Sequence, residues 1–425
     1  MTETIVNEHL RAGARDALLD IVRALPLPGQ TKSPALAGGE AGLAIFHAYL
    51  AKSGLLPPET SQRHLELTFE HLQSAVAALP APASRLDLYS SFVGVAWAAN
   101  HAHAMEVLPE SDDLCDAADE AVLEGLREHG SSLPCELIFG LSGIGVYGLA
   151  RWHRPAGRQI VECVVRALEE SAVLDRGLRT WFHSPEHLSA NGLKEAPEGY
   201  FNLGLSHGVP GALVFLSKAA GHGVPGAQAL LIEARHWLLL QQRAFSNGSR
   251  FGFSVLPAAD RQPEIEGSKV AWCYGDLGVC AALLQIARHA RRTEWEPVAL
   301  DLARALAHRP APDRDVMDAG LCHGALGNAH IFARLHAASG ERCLHEAALR
   351  WLQAGLAMRK EGAPAAGFLT WFPPQPDEPT RDPWIPRYGL LEGIGGIGLA
   401  LLGFLTQVPP AWDEFMMVDI PAAGG

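Results

Sequence analysis

At 425 residues, 48% hydrophobic and 19% charged, the chain is of globular composition and long enough to bury a substantial core, as one large domain or as several smaller ones. A formal net charge of −13, without any long run of Lys or Arg, excludes general nucleic-acid binding and points to small molecules or peptides as partners. Seven scattered cysteines are unlike the dense disulfide framework of a small secreted domain and read as free thiols or metal ligands.

The first ten residues, with Glu3, Asn7, Glu8 and His9, lack the basic-then-apolar order of a secretory signal, so a cytoplasmic location is expected. From there a Gly-x-x-Gly motif followed by an apolar run recurs seven times, at Gly39–Gly42, Ser91–Gly94 (serine in the first glycine position), Gly140–Gly143, Gly208–Gly211, Gly275–Gly278, Gly324–Gly327 and Gly393–Gly396. The second glycines are 49 to 69 residues apart, room for two helices and their connections. The last copy opens the most apolar stretch, around Leu390 to Leu405. Five glycines and Glu392 make that stretch a buried helix and no membrane span.

Amphipathic segments lie between the motifs. In Arg158 to Glu170, Ile160, Val164, Ala167 and Leu168 share one face while Arg158, Glu162, Arg166 and Glu169 lie largely elsewhere, as suits an outer ring of helices. The runs after the glycines are rich in Gly and Ala and suit an inner ring packed on both sides. The expected fold is all-α: an α/α toroid of seven helical hairpins, closed so that no end of the array needs capping. It forms a single domain over 1–425, with a short lead at 1–30 and a tail at 418–425. The longer intervals hold insertions at 181–200, 245–267 and 364–387, the last with Trp371, Pro373, Pro374, Pro376 and Trp384. These are too apolar for floppy linkers and read as ordered loops over one mouth of the toroid.

The two positions before the first glycine hold Ser206-His207, Cys273-Tyr274 and Cys322-His323 in three consecutive copies. Equivalent positions of a closed ring converge at one end, and a glycine turn can aim adjacent side chains inward where a regular helix cannot. Two thiols and an imidazole are donors that zinc prefers, and three protein ligands leave a fourth tetrahedral position open. The competing reading is that both thiols are merely buried. His207, in the register of His323, suits acid/base work. Glu136 precedes the corresponding turn of the third copy and either orients His207 or is a solvated loop carboxylate. Lys269 either binds a carbonyl or enolate oxygen or is solvated. Tyr274 stands in the His323 register as a site contact, and Asp276 is placed to cap an inner helix. Cys115, Cys163, Cys343 and Cys280 read as small hydrophobes of helices.

The segments Phe139-Gly-Leu-Ser-Gly-Ile, Asn202-Leu-Gly-Leu-Ser-His-Gly, Ala271-Trp-Cys-Tyr-Gly-Asp-Leu-Gly, Leu321-Cys-His-Gly and Leu390-Leu-Glu-Gly-Ile-Gly-Gly-Ile, taken in order, resemble the lanthionine synthetase C-like family, the lantibiotic cyclases. The resemblance implies one Zn2+ held by Cys273, Cys322 and His323, with His207 as acid/base. Two positions depart from the family pattern. Glu136 stands where an aspartate is usual, which lengthens the arm that must reach His207. Lys269 stands where an arginine is usual, which keeps the charge without the planar fork.

The chemistry implied is addition of cysteine thiols to dehydroalanine or dehydrobutyrine in a dehydrated, ribosomally made precursor peptide, giving lanthionine or methyllanthionine rings. Alternatives are zinc-dependent addition of a small thiol such as glutathione to dehydrated residues, and a non-catalytic zinc-stabilised peptide-binding scaffold. The repeats begin near Gly39 with no dehydratase-like segment before them, so a separate dehydratase is expected. The resemblance adds an export complex as partner, with peripheral placement at the inner membrane face.

Overall fold

A computed structural model of the chain describes residues 8–80, 85–108, 112–188, 193–194, 196–257, 267–310, 315–374 and 380–422. The helices that follow the seven motifs are α2 (Glu40–Lys52), α4 (Phe92–Ala104), α6 (Leu141–Ala150), α8 (Val209–Gly221), α10 (Asp276–His289), α12 (Ala325–Ser339) and α14 (Ile394–Leu405). The intervening helices are α3 (Pro58–Ala77), α5 (Asp112–His129), α7 (Pro155–Glu170), α9 (Ala227–Leu239), α11 (Glu296–Ala307) and α13 (Arg342–Ala357), and α1 (Glu8–Ala24) precedes them all.

The two sets differ as their sequences require. In α6 every residue from Leu141 to Gly148 is buried, and α14 is buried from Ile394 to Leu402, so these helices pack on all sides. In α7 the buried residues are Gly157, Ile160, Val161, Val164, Val165, Ala167 and Leu168, while Arg158, Glu162, Arg166 and Glu169 face solvent. The recurring glycine has a steric cause. A Cβ at Gly42, Gly143, Gly211, Gly278, Gly327 or Gly396 would collide with the carbonyl oxygen six residues earlier, of Leu36, Leu137, Leu205, Trp272, Leu321 or Leu390 respectively. The loop before each inner helix folds back beneath the helix start and leaves no room for a side chain.

The chain divides into two compact units. One comprises Met1–Arg85, Tyr89–Cys115 and Ala307–Trp412. In it α2 packs against α3, α4 and α14, and α12 against α13 and α14. The first helix serves the last motif: α1 lays Ala14, Ala17, Leu18 and Ile21 inward, packs on α14, and donates from Arg11 to the Leu405 carbonyl at 3.0 Å. The motif loops are joined by backbone bonds from Cys322 N–H to Leu391 O (3.0 Å), Leu391 N–H to Ala37 O (2.9 Å) and Ala37 N–H to Tyr89 O (3.0 Å).

The other unit comprises Leu86–Leu88, Asp116–Leu306 and Asp413–Gly425. Here α6 packs on α7 and α8, and α8 on α9 and α10. The same loop-to-loop ladder runs from Leu137 N–H to Ser206 O (3.0 Å) and from Ser206 N–H to Cys273 O (3.3 Å). The C-terminal segment is stitched onto this unit: Trp272 Nε1–H donates to Met416 O (2.8 Å), and Lys218 meets the Asp419 carboxylate at 2.6 Å.

Three two-stranded antiparallel sheets occur among the described residues: β1 (Val173–Asp175) with β2 (Leu178–Thr180), β3 (Phe201–Asn202) with β4 (Ser254–Val255), and β5 (Leu369–Trp371) with β6 (Trp384–Pro386). The insertions expected to be ordered contribute to them. The segment 181–200 is closed by a bridge between His183 and Tyr200, 245–267 contains β4, and 364–387 forms the β5–β6 hairpin. Positions 189–192, 195, 258–266 and 375–379, Pro376 included, lie outside the described residues.

Cys115, Cys163 and Cys343 lie in helices, and Cys280 is fully buried in α10. Asp276, expected at a cap, also serves a neighbouring segment. Its carboxylate reaches outside the helix and accepts the N–H groups of Arg250 (2.8 Å) and Phe251 (2.9 Å). Glu40, one residue after Gly39 as Asp276 is after Gly275, does the same for Gly29 and Thr31, both at 3.1 Å. Among the described residues, no helix is long and apolar enough to cross a membrane.

Candidate metal centre and acid/base pair

The loop before α10 carries Cys273 and the loop before α12 carries Cys322 and His323. Among the described residues these three form a group whose Sγ and imidazole nitrogen atoms all lie within 4.8 Å of one another, with Cys273 buried and the other two partly exposed. Zinc bound tetrahedrally to two sulfurs and one nitrogen needs donors about 3.5–3.8 Å apart. The three side chains therefore fit a zinc ion with shifts on the order of 1 Å. Both thiols and the imidazole are ligand types that zinc takes together.

His207 and Glu136 meet. His207 Nδ1 lies 2.7 Å from Glu136 Oε2, with Glu136 3% exposed and the imidazole one-third exposed. The added methylene is absorbed in a turn: Glu136 Oε2 accepts the N–H of Ile138 at 3.0 Å and Oε1 that of Phe139, so the carboxylate folds back over its own loop while still facing the imidazole. Because an ionised carboxylate only accepts, Nδ1 of His207 carries the proton and Nε2 is left to exchange one.

Tyr274 lies with its ring 6.2 Å from that of His207, and its hydroxyl accepts a bond from Asn202 Nδ2 at 3.1 Å. Burial pushes the Tyr274 hydroxyl well above the usual phenol range, so it stays protonated at neutral pH. The exposed ring of Phe139 sits 5.9 Å from that of His207. Lys269 is half-buried, and its ammonium makes no hydrogen bond or ion pair among the described residues.

Residues beyond the expected set also stand here. Asn202 and Asp318 each pin their own turn through Oδ1, to Gly204 N–H and Gly320 N–H, both at 2.9 Å. Both stand six residues before the first glycine of their copy, the register of Lys269. The repeat marks this position as it marks the two positions before the glycine. Phe139 carries no such mark, since an aromatic residue at a loop end reads equally well as core.

The family described as lanthionine synthetase C-like protein matches residues 30–417. No curated protein sequence matches the chain. Among solved structures the chain resembles nisin cyclase, with a TM-score of 0.70 and 18% identity over 97% of this chain and 98% of that one. At that identity the likeness speaks for the fold, and the fold is the expected α/α toroid, with inner helices after the glycine motifs and outer helices between them. With nine-tenths of its length matched by the family pattern, the chain belongs to the lanthionine synthetase C-like family.

Proposed function

We propose that this chain is a zinc-dependent peptide cyclase, acting as one domain, that adds cysteine thiols to dehydroalanine or dehydrobutyrine of a precursor peptide. Cys273, Cys322 and His323 hold the metal. Zinc, when bound, supplies the positive charge that ionises a substrate thiol at neutral pH. The sulfur bonds to the β-carbon of the dehydroamino acid and the α-carbon takes a proton, so a thioether forms with no change of mass.

His207 delivers that proton from Nε2. Glu136 fixes the tautomer by accepting from Nδ1 and stabilises the imidazolium before transfer. Lys269 pairs with the oxygen of the enolate that precedes protonation, and the protonated Tyr274 packs beside the imidazole. The His207–Glu136 pair in a chain of this family is the observation that carries the reading. A separate dehydratase prepares the peptide, and an export complex at the inner membrane face removes the product.

The test incubates the enzyme with its dehydrated cognate precursor and counts alkylatable thiols before and after. We expect one thiol lost per ring at constant peptide mass; an unchanged thiol count rejects the cyclase.

A further inference from the structure

Asp318 is 3% exposed and five residues ahead of His323. A buried carboxylate needs compensation. Two of its lone pairs are spoken for: Oδ1 accepts Gly320 N–H at 2.9 Å, and Oδ2 accepts Trp371 N–H from β5 at 3.0 Å. The same Oδ2 lies 3.9 Å from Nε2 of His323. That separation is ion-pair range and about 1 Å longer than a hydrogen bond. A carboxylate has about four acceptor sites, so Oδ2 has capacity for the imidazole N–H in addition to the Trp371 amide.

We propose that Asp318 is the positioning carboxylate of the metal centre. It fixes the proton on Nε2 of His323, presents Nδ1 to the metal, and ties the β5–β6 hairpin to the same ligand through Trp371. A carboxylate behind a ligating imidazole sets the ring's orientation and raises its basicity, and losing it costs roughly 10- to 100-fold in metal affinity. The hairpin is held at a second point, where Thr370 Oγ1 donates to Glu392 O at 2.6 Å. Glu392 follows Leu391, whose carbonyl receives the Cys322 N–H. Cys322 is thus one bond from the segment that carries the hairpin, and His323 faces the hairpin's own anchor, Asp318. Asn202 shows the repeat using the same position alike: one atom pins its own turn and the other reaches a site side chain, Tyr274.

The inference rests on the reading of Cys273, Cys322 and His323 as metal ligands, and the test separates the two. Zinc and cobalt affinities of the full chain are measured by chelator competition for the wild type and for Asp318→Asn, which retains an acceptor for Gly320 N–H. We expect Asp318→Asn to bind about 10- to 100-fold more weakly while the cobalt–thiolate absorption bands persist. Equal affinity in the two proteins overturns the role of Asp318 and leaves the ligand set standing. A wild type that binds neither metal overturns both. Cobalt-substituted wild type should also show one strongly shifted, slowly exchanging imidazole N–H resonance in proton NMR. That measurement decides the matter should Asp318→Asn not fold, since absence of the resonance overturns the proposal. A merely structural Asp318 would alter unfolding of the metal-free chain without moving either metal readout.

Discussion

Glu136 shows how a longer carboxylate still meets an imidazole. The glutamate bends back so that two backbone N–H groups and the imidazole converge on one carboxylate. In the proposed reaction its charge, more than its acceptor atom, is what an imidazolium at His207 would need. We expect Glu136→Gln to slow ring formation about 10- to 100-fold with metal content unchanged, and His207→Ala to slow it about 10²- to 10⁴-fold with metal likewise retained. Rates are read from thiol loss and metal content from elemental analysis; a Glu136→Gln enzyme at wild-type rate removes the carboxylate from the mechanism.

The elements follow from the glycine motif. A Cβ at Gly143 meets the Leu137 carbonyl oxygen, and the same loop donates Leu137 N–H to Ser206 O, so a strained turn is felt by the next copy. We expect Gly143→Ala to cost about 1–3 kcal/mol in urea unfolding. Gly38→Ala, where a Cβ meets nothing within 4 Å, should stay within about 0.5 kcal/mol of wild type. Equal stabilities would mean that the turn relaxes freely. The motif, its register and the apolar runs after it were legible in the sequence because a steric requirement repeated in six of the seven copies leaves a periodic mark. The direction of Asp276 was not legible. A carboxylate at a helix start is ordinarily read as a cap, and only the fold brings the 250–251 backbone within its reach.

At the scale of the whole molecule, each unit encloses a histidine held neutral. His101, stacked on Trp97 and bonded to Tyr49 at 3.0 Å, is pushed by burial down to about 4. His289 of the other unit is pushed down to about 4 by burial first and then by the Lys218 ammonium. The unfolded value is about 6.5. Folded values below it mean that stability is full above about pH 6.5 and is lost as pH falls toward 4, by up to about 3 kcal/mol for each group. We expect the urea midpoint to fall over that window, and His101→Gln to flatten the fall. An unchanged slope in His101→Gln would show that His101 does not contribute.

The sequence by itself determined the repeat, the helix types and the family, and it set Cys273, Cys322, His323 and His207 at matched positions of consecutive copies. Each depends on residue chemistry at a fixed register, which a linear chain records directly. Tertiary structure alone decided that Glu136 reaches His207 despite its length, that α1 completes the last repeat by packing on α14, and that Asp318 faces His323 while holding Trp371. Those contacts depend on backbone paths that bring distant segments within a few ångströms, and nothing in the spacing of residues along the chain fixes such a path.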